Sequence, residues 1–402
     1  MSALESSTDG WENPGLLAKI ALLSAGCFIS VGLFSMGVTL PIIASQLAHD
    51  PASQFLVQAI GMIAAPVFAL TAPLAGTIVA RHGERAVLLG GLALFLVGGM
   101  LPFWLNNLWT ILVCRVILAL GVAAGFTAGM SGIARLPVRQ RNVLFGMNTF
   151  AGGVLVILIY PIIGRLAAID WHLAVLVHGV LAPVFLLALA LPRRVSQSAS
   201  TPSAQRSVAA SQFAAGLPVL LLAIVAFVGW VMVSSSIFSP FYLTSIGIAD
   251  PSRIGEILSA AGICALIGSG GYSIAQRWFE TRTMLVFGLA TMLASCLSLS
   301  LLPNPHMVVI ELGLLSVGLT TFSPAVYSLA TSIVGAASNR GKAVGVTSAM
   351  LYGPQILFPL FASTLTSFGG PKTVYFGLAV LMLISLTILP LTAPRPEPAI
   401  AQ

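Results

Sequence analysis

Apolar residues run along this chain in twelve long blocks separated by short polar breaks. The blocks fall at about 17–44, 54–79, 86–104, 108–134, 143–168 and 171–191, and then, after a longer polar interval, at about 214–246, 253–276, 283–303, 306–335, 343–368 and 373–393. Most reach the roughly 20 residues an α-helix needs to cross a hydrocarbon core of about 30 Å. The pattern predicts an all-α membrane protein with six spanning helices, a break, and six more. The break, Pro192–Gln212, is rich in Ser, Ala, Pro and Arg and has no apolar periodicity, which marks a flexible linker. The expected organisation is an N-terminal six-helix bundle at 1–191, a linker at 192–213 and a C-terminal six-helix bundle at 214–402.

Composition sharpens that reading. Of 402 residues, 57% are hydrophobic and 7% charged, against roughly 25% charged in a soluble domain. The few basic residues sort by side. Fourteen of the eighteen fall in the even-numbered connections and the terminal segments: Lys19, Arg81, Arg85, Arg135, Arg139, Arg141, Arg193, Arg194, Arg206, Arg277, Arg282, Arg340, Lys342 and Arg395. Arg165, Arg253 and Lys372 lie on the other side, and Arg115 lies inside a block. Basic loops stay in the cytoplasm, so both termini and the linker are expected there. This sorting accounts for the net charge of +7, and nucleic-acid binding is not expected. Glu5, Asp9 and Glu12 stand where a secretory signal would be basic, so the first block is read as a retained helix. The four cysteines lie inside apolar blocks without CxxC spacing, so no disulfide, metal site or cofactor is expected.

The halves echo each other. Asp50-Pro51 opens the second span and Asp250-Pro251 the eighth; Asn107 and Asn304 precede the fourth and tenth, which carry Gly121 and Gly318 at the same offset. A duplicated six-helix unit explains this order, and parallel repeats with a site at their interface are a transporter architecture. The connection Gly76-Thr77-Ile78-Val79-Ala80-Arg81-His82-Gly83-Glu84-Arg85 resembles the loop signature between the second and third helices of the major facilitator superfamily. The family's acidic residue is replaced by Ala80, and Glu84 stands nearby. Gly76, Arg81, Gly83 and Arg85 are therefore expected to form a cytoplasmic gating loop. Leu112-Val113-Cys114-Arg115 with Gly121 resembles the family's fourth helix, where the arginine is implicated in proton coupling or substrate charge. Tyr160-Pro161-Ile162-Ile163-Gly164-Arg165 partly matches the glycine-rich fifth-helix signature of its drug:proton antiporters, with Tyr160 and Arg165 in place of glycines. The resemblance implies the two-bundle fold and alternating access.

Charges inside a bilayer cost several kcal/mol unless paired or hydrated, which makes them candidates for function. Arg115 and Glu311 lie at similar depths in the fourth and tenth blocks, and are read as a charge-coupling pair of sites in which Glu311 takes the proton. His178, in the sixth block, is read as a packing residue. Trp230, Ser234, Phe238 and Phe241 recur at helical spacing in the seventh block. With Phe34, Phe126, Asn148, Phe322, Tyr352 and Gln355 they are candidate contacts for a substrate, and so sparse a polar set suits an aromatic or amphipathic solute. The expected activity is proton-coupled export of hydrophobic or amphipathic small molecules; uptake of a small organic anion through Arg115 stays open. No HExxH, GxSxG or phosphate-binding loop is present, so an enzyme or ATPase is not expected. The expected partners are a small-molecule substrate, protons and lipid. The expected state is a monomer in a bacterial cytoplasmic (inner) membrane.

Overall fold

The computed structural model describes residues 15–136, 138–191, 217–334 and 337–392. Helix follows helix, with no strand among the described residues, because lipid offers no partners to backbone N–H and C=O groups. Eleven helices are long and apolar enough to cross a membrane among these residues. The helix in eleventh place is interrupted: it runs as Ala337–Tyr352, a 3-10 turn Gly353–Leu357 and Phe358–Gly369. Large apolar side chains such as Leu70, Ile169, Leu186, Ile267 and Phe368 are exposed on the helix exteriors, as lipid-facing residues must be.

The chain divides into two compact units. One comprises Met1–Ser207 with Ser236–Gly262, the other Val208–Ser235 with Ile263–Gln402. The latter part of the seventh span and the first part of the eighth thus group with the first six spans. The linker expected at 192–213, with Arg193, Arg194, Arg206 and also Arg395, lies outside the described residues.

Turns after the first, third, fifth, seventh and ninth spans share one chemistry. Asp50, Asn107, Asp170, Asp250 and Asn304 each accept from backbone N–H groups just ahead, at Ala52, Trp109, His172, Ser252 and His306. At Asp50, Asn107, Asp170 and Asp250 these are donors that the first helical turn leaves orphaned, while His306 lies in the turn just before the helix that opens at Val308. At Asp50, Ser53 completes a capping box. These bonds hold the Asp50 and Asp170 carboxyls below the ordinary aspartate value, through the N–H of Ser53 first for one and of His172 first for the other.

Within the first unit, the third span (Glu84–Met100) and fourth span (Leu108–Ala134) make the closest pairing, and in the second unit the ninth (Thr281–Leu301) and tenth (Val308–Val334) do the same. Gly98 shows why. A Cβ there would run into Leu118 N and stand 2.6 Å from Cys114 O, so only glycine lets the two backbones approach.

Several spans break near their middles, at sites the sequence explains. The first runs Leu16–Phe34, then a 3-10 turn Gly37–Thr39, then Leu40–Leu47. Pro41 lacks an N–H and crowds the carbonyl four residues back, on Gly37. The seventh runs Val219–Val233, a π turn Ser234–Phe238, then Ser239–Ser245, and Pro240 stands four residues after Ser236 in the same way. A Cβ on Gly37 would collide with Ser236 O, so in the first unit the two broken turns lie backbone to backbone.

Candidate coupling residues and helix breaks

Each unit buries one charge-bearing residue from the predicted pair. In the first, Arg115 is 1% exposed. Its Nη2 donates to the Gly32 carbonyl at 2.9 Å, while Nε and Nη1 have no hydrogen-bond partner. Gly32 lies in the last turn of Leu16–Phe34, just before the break in the first span. The guanidinium therefore grips the first span at its weakest point.

A second hold on the first span comes from His178, read from the sequence as a packing residue. His178, on the 3-10 turn Leu176–Leu181 of the sixth span, is buried. Its Nδ1 lies 2.7 Å from Val175 O and its Nε2 3.1 Å from Ser35 Oγ. A carbonyl only accepts, so Nδ1 carries the proton, and in the neutral ring Nε2 accepts from the Ser35 hydroxyl. Phe95 stands against the ring at 5.6 Å, and Gly99 leaves it room. The packing role was legible in the sequence; the partner, Ser35 on a distant span, was not.

In the second unit, Glu311 is 4% exposed. Its Oε1 accepts from Ser298 Oγ, and its backbone carbonyl accepts from Ser295 Oγ at 2.6 Å. Both serines lie on the ninth span, so the carboxyl faces that helix. Oε2 has no hydrogen-bond partner.

The predicted substrate contacts distribute over both units. In the first, Asn148 Oδ1 accepts from Gly26 N at 2.6 Å and its Nδ2 lies 3.5 Å from Met130 Sδ, tying the fifth span to the first and fourth. Phe34 is half-buried, and its carbonyl accepts from the Tyr160 hydroxyl at 3.4 Å. Phe126 packs edge-on against Phe68, and Phe238 is buried 6.3 Å from Phe241. In the second unit, Trp230 Nε1 donates to Pro354 O at 2.8 Å, and its ring lies 4.7 Å from Phe361. Trp230 thereby covers the break in the eleventh span. Ser234 Oγ donates to Val231 O, and its carbonyl accepts from the Tyr375 hydroxyl. Gln355 Nε2 donates to Leu351 O, Phe322 is buried, and Tyr352 is half-buried. The seventh span carries a π turn, Ser234–Phe238, between Trp230 and Phe241.

In the connection between the second and third spans, Gly76 lies within Ala64–His82, Arg81 is exposed, and Gly83 takes φ +82 between the two helices. Arg85 Nη1 donates to Leu191 O at 3.3 Å. Glu84 is 3% exposed; its Oε1 pairs with Arg135 Nε at 2.6 Å and accepts from Ser131 Oγ. The acid in this connection thus binds the end of the fourth span.

Interrupted spans, a buried guanidinium beside the break in the first of them and a multi-pass helical scaffold fit the class of membrane transporters. The profile of the Major Facilitator Superfamily matches residues 22–337 and 273–402, and the chain belongs to that family. It is therefore a transporter of alternating-access fold and not an enzyme. Among relatives, the multidrug efflux pump Tap of Mycolicibacterium fortuitum is 24% identical over 167 residues, which is 42% of this chain and 40% of Tap. The match thus spans less than half the length of that relative. Solved structures share the fold at low identity. A point mutant of the nucleoside transporter NupG has a TM-score of 0.75 at 15% identity, covering 94% of this chain and 100% of its own. The D-xylose-proton symporter scores 0.71 at 18%, covering 94% and 97%. A bacterial homologue of the human lysosomal transporter Spinster, inward-facing and unoccupied, scores 0.66 at 17%, covering 94% and 95%.

Proposed function

We propose that the protein is a proton-driven exporter of hydrophobic or amphipathic small molecules. It works as a monomer in a bacterial cytoplasmic membrane, with both termini in the cytoplasm and two six-helix halves, 1–191 and 214–402, joined by the linker 192–213. The observation that carries proton coupling is Glu311, a carboxyl buried in a spanning helix with a hydroxyl on one oxygen and no partner on the other. A carboxylate so placed is costly, whereas the protonated acid is tolerated, so its charge state is open to control by the transport cycle. Tap, an efflux pump by name, supports the direction. The aromatic and amide groups around Trp230, Phe34, Phe126, Asn148, Phe238, Phe322, Tyr352 and Gln355 suit an aromatic solute with few polar groups. The Gly76–Arg85 connection gates the cytoplasmic side.

One observation favours a second reading, uptake of a small organic anion. Arg115 keeps two buried N–H groups without partners, and a planar guanidinium is suited to a carboxylate.

Transport by the full-length protein in proteoliposomes, with a pH gradient in either direction, tests both. A panel of lipophilic cations and aromatic carboxylates is added while internal pH is followed. Proton flux opposite to solute movement, lost in Glu311→Gln, is the expected result. Proton flux moving with a carboxylate and lost in Arg115→Ala would replace export by uptake.

A further inference from the structure

Where the third and fifth spans end, the connections that follow them enclose an open cleft of about 590 Å³, within the roughly 300–1,000 Å³ of small-molecule sites. Its apolar lining is Phe103 and Trp104, on the 3-10 turn Leu101–Trp104, with Ile169 and Leu173 on either side of the turn at Asp170. Trp104 is 67% exposed and Ile169 77% exposed, and Phe103 braces the indole edge-on at 5.0 Å. The polar lining is Asn106, Asp170 and His172.

Distant segments hold this polar lining in place. A carboxylate only accepts, so His172 Nδ1 carries a proton and donates to Asp170 Oδ1 at 2.7 Å. Its Nε2 lies 2.9 Å from Asn106 Oδ1, which joins the two connections across 66 residues. Trp171 stacks on the imidazole at 3.7 Å, and its own Nε1 donates to Gln46 Oε1 of the first span at 2.9 Å. Asp170 Oδ1 also accepts from the His172 N–H, whereas Oδ2 makes no hydrogen bond among the described residues. These bonds hold the carboxyl below the ordinary aspartate value, so it is ionised in neutral solution. Among the described residues no Lys or Arg lines the cleft, so an anion finds no counter-charge there. A calcium ion takes about six to eight oxygen ligands, which one free carboxylate oxygen does not supply.

We propose that this cleft binds an organic ammonium ion with an apolar body: the charged nitrogen sits between Asp170 Oδ2 and the exposed indole of Trp104, and the apolar body lies along Ile169 and Leu173. An indole face attracts a cation within about 6 Å of its centroid, and the carboxylate supplies the counter-charge. Because the polar side chains are fixed before the ligand arrives, binding has little left to order. Exposed tryptophans at span ends also serve as interfacial anchors, but an anchor needs no ionised carboxylate with a free oxygen beside it. A free lipophilic cation and the headgroup of phosphatidylethanolamine both carry this chemistry. The site uses neither Arg115 nor Glu311, so the inference goes beyond the proton-driven reading and does not depend on it.

The test uses full-length protein in nonionic maltoside micelles, free of ammonium lipids, with 5-fluorotryptophan in place of tryptophan. The fluorine resonance of Trp104, identified by its absence in Trp104→Phe, is followed at about pH 8, where an ordinary imidazole is neutral. Benzyltrimethylammonium is added as the free cation, and dihexanoylphosphatidylethanolamine as the lipid headgroup. The expected result is a saturable shift with at least one of them, its midpoint rising at least about threefold in Asp170→Asn, as the loss of one partly exposed charge pair allows. Asparagine still accepts the His172 N–H, so the turn keeps its cap. The probe with the lower midpoint names the source. Each probe has a counterpart without the ammonium, neopentylbenzene for the first and dihexanoylphosphatidylglycerol for the second, and neither counterpart is expected to saturate. These controls decide on the parent protein alone if Asp170→Asn is unstable. Saturation by a counterpart at the same concentration removes that arm, and loss of both arms overturns the site. So does the absence of a saturable shift with both ammonium probes, or a midpoint in Asp170→Asn that rises by less than the stated factor.

Discussion

Arg115 and Glu311 occupy matching places in the fourth and tenth spans, yet their side chains turn to different kinds of neighbour. Arg115 reaches the first span and holds a carbonyl at a helix break. Glu311 turns to the ninth span and takes hydroxyl groups from an unbroken helix, Thr281–Leu301. A cation placed on a break is positioned to act on a moving part, whereas an acid bonded between two tightly paired helices is positioned to change charge without moving them. Equal depth in a membrane thus carries no information about equal role; the neighbour decides.

The largest expected effect breaks the first side of this comparison. Arg115→Ala is expected to lower transport in proteoliposomes by at least about tenfold, equivalent to roughly 1.4 kcal/mol on a barrier. Arg115→Lys should fail to restore it, because a compact, strongly hydrated ammonium is a poor buried replacement for the planar, weakly hydrated guanidinium whose Nη2 meets Gly32 O.

Next comes the contact that supports each residue. Gly98→Ala would drive a Cβ into Leu118 N and Cys114 O beneath Arg115, and should cost about 2–3 kcal/mol of stability by thermal unfolding in detergent. Gly288→Ala, whose Cβ would meet Gly318 O and Phe322 Cβ at 2.9 Å, should cost about 1 kcal/mol. Gly90, with open space around it, should accept alanine with a gain of up to about 1 kcal/mol.

Glu311 is sharpened by two substitutions with opposite readouts. Glu311→Gln keeps an acceptor for Ser298, so stability should stay within about 1 kcal/mol while the pH dependence of transport is lost. Glu311→Ala leaves Ser298 without its partner and should cost about 1–3 kcal/mol. An unchanged pH profile in Glu311→Gln would remove the proton role.

The smallest effect lies at the turn before the sixth span. The folded value of Asp170 is depressed by the N–H and imidazole of His172. Its contribution is therefore fully present above the unfolded value of about 3.9 and is lost as pH falls through the lower folded one. Asp170→Asn should flatten the fall in unfolding temperature below about pH 4.

Much of this was legible from residues alone. Apolar blocks of about the length of a bilayer predict the spans, because lipid leaves a long apolar chain no other way to satisfy its backbone. Asp50, Asn107, Asp170, Asp250 and Asn304 announce their caps by type and place, since capping needs only residues within three positions. The breaks beside Pro41 and Pro240 were not legible in this way, since Pro73, Pro161, Pro324 and Pro390 lie inside continuous helices. Arg115 and Glu311 stand out as charges in apolar blocks. What they touch was not legible. Nothing near Arg115 in the chain points to Gly32, nothing near His178 points to Ser35, and nothing near Glu84 points to Arg135. Nothing near Trp230 in the chain points to Pro354, to which its indole bonds across 124 residues. Local chemistry within one turn determines where helices begin. The direction in which a buried charge points is decided only when distant helices pack and one neighbour, among many possible, supplies the partner that a low-dielectric interior demands.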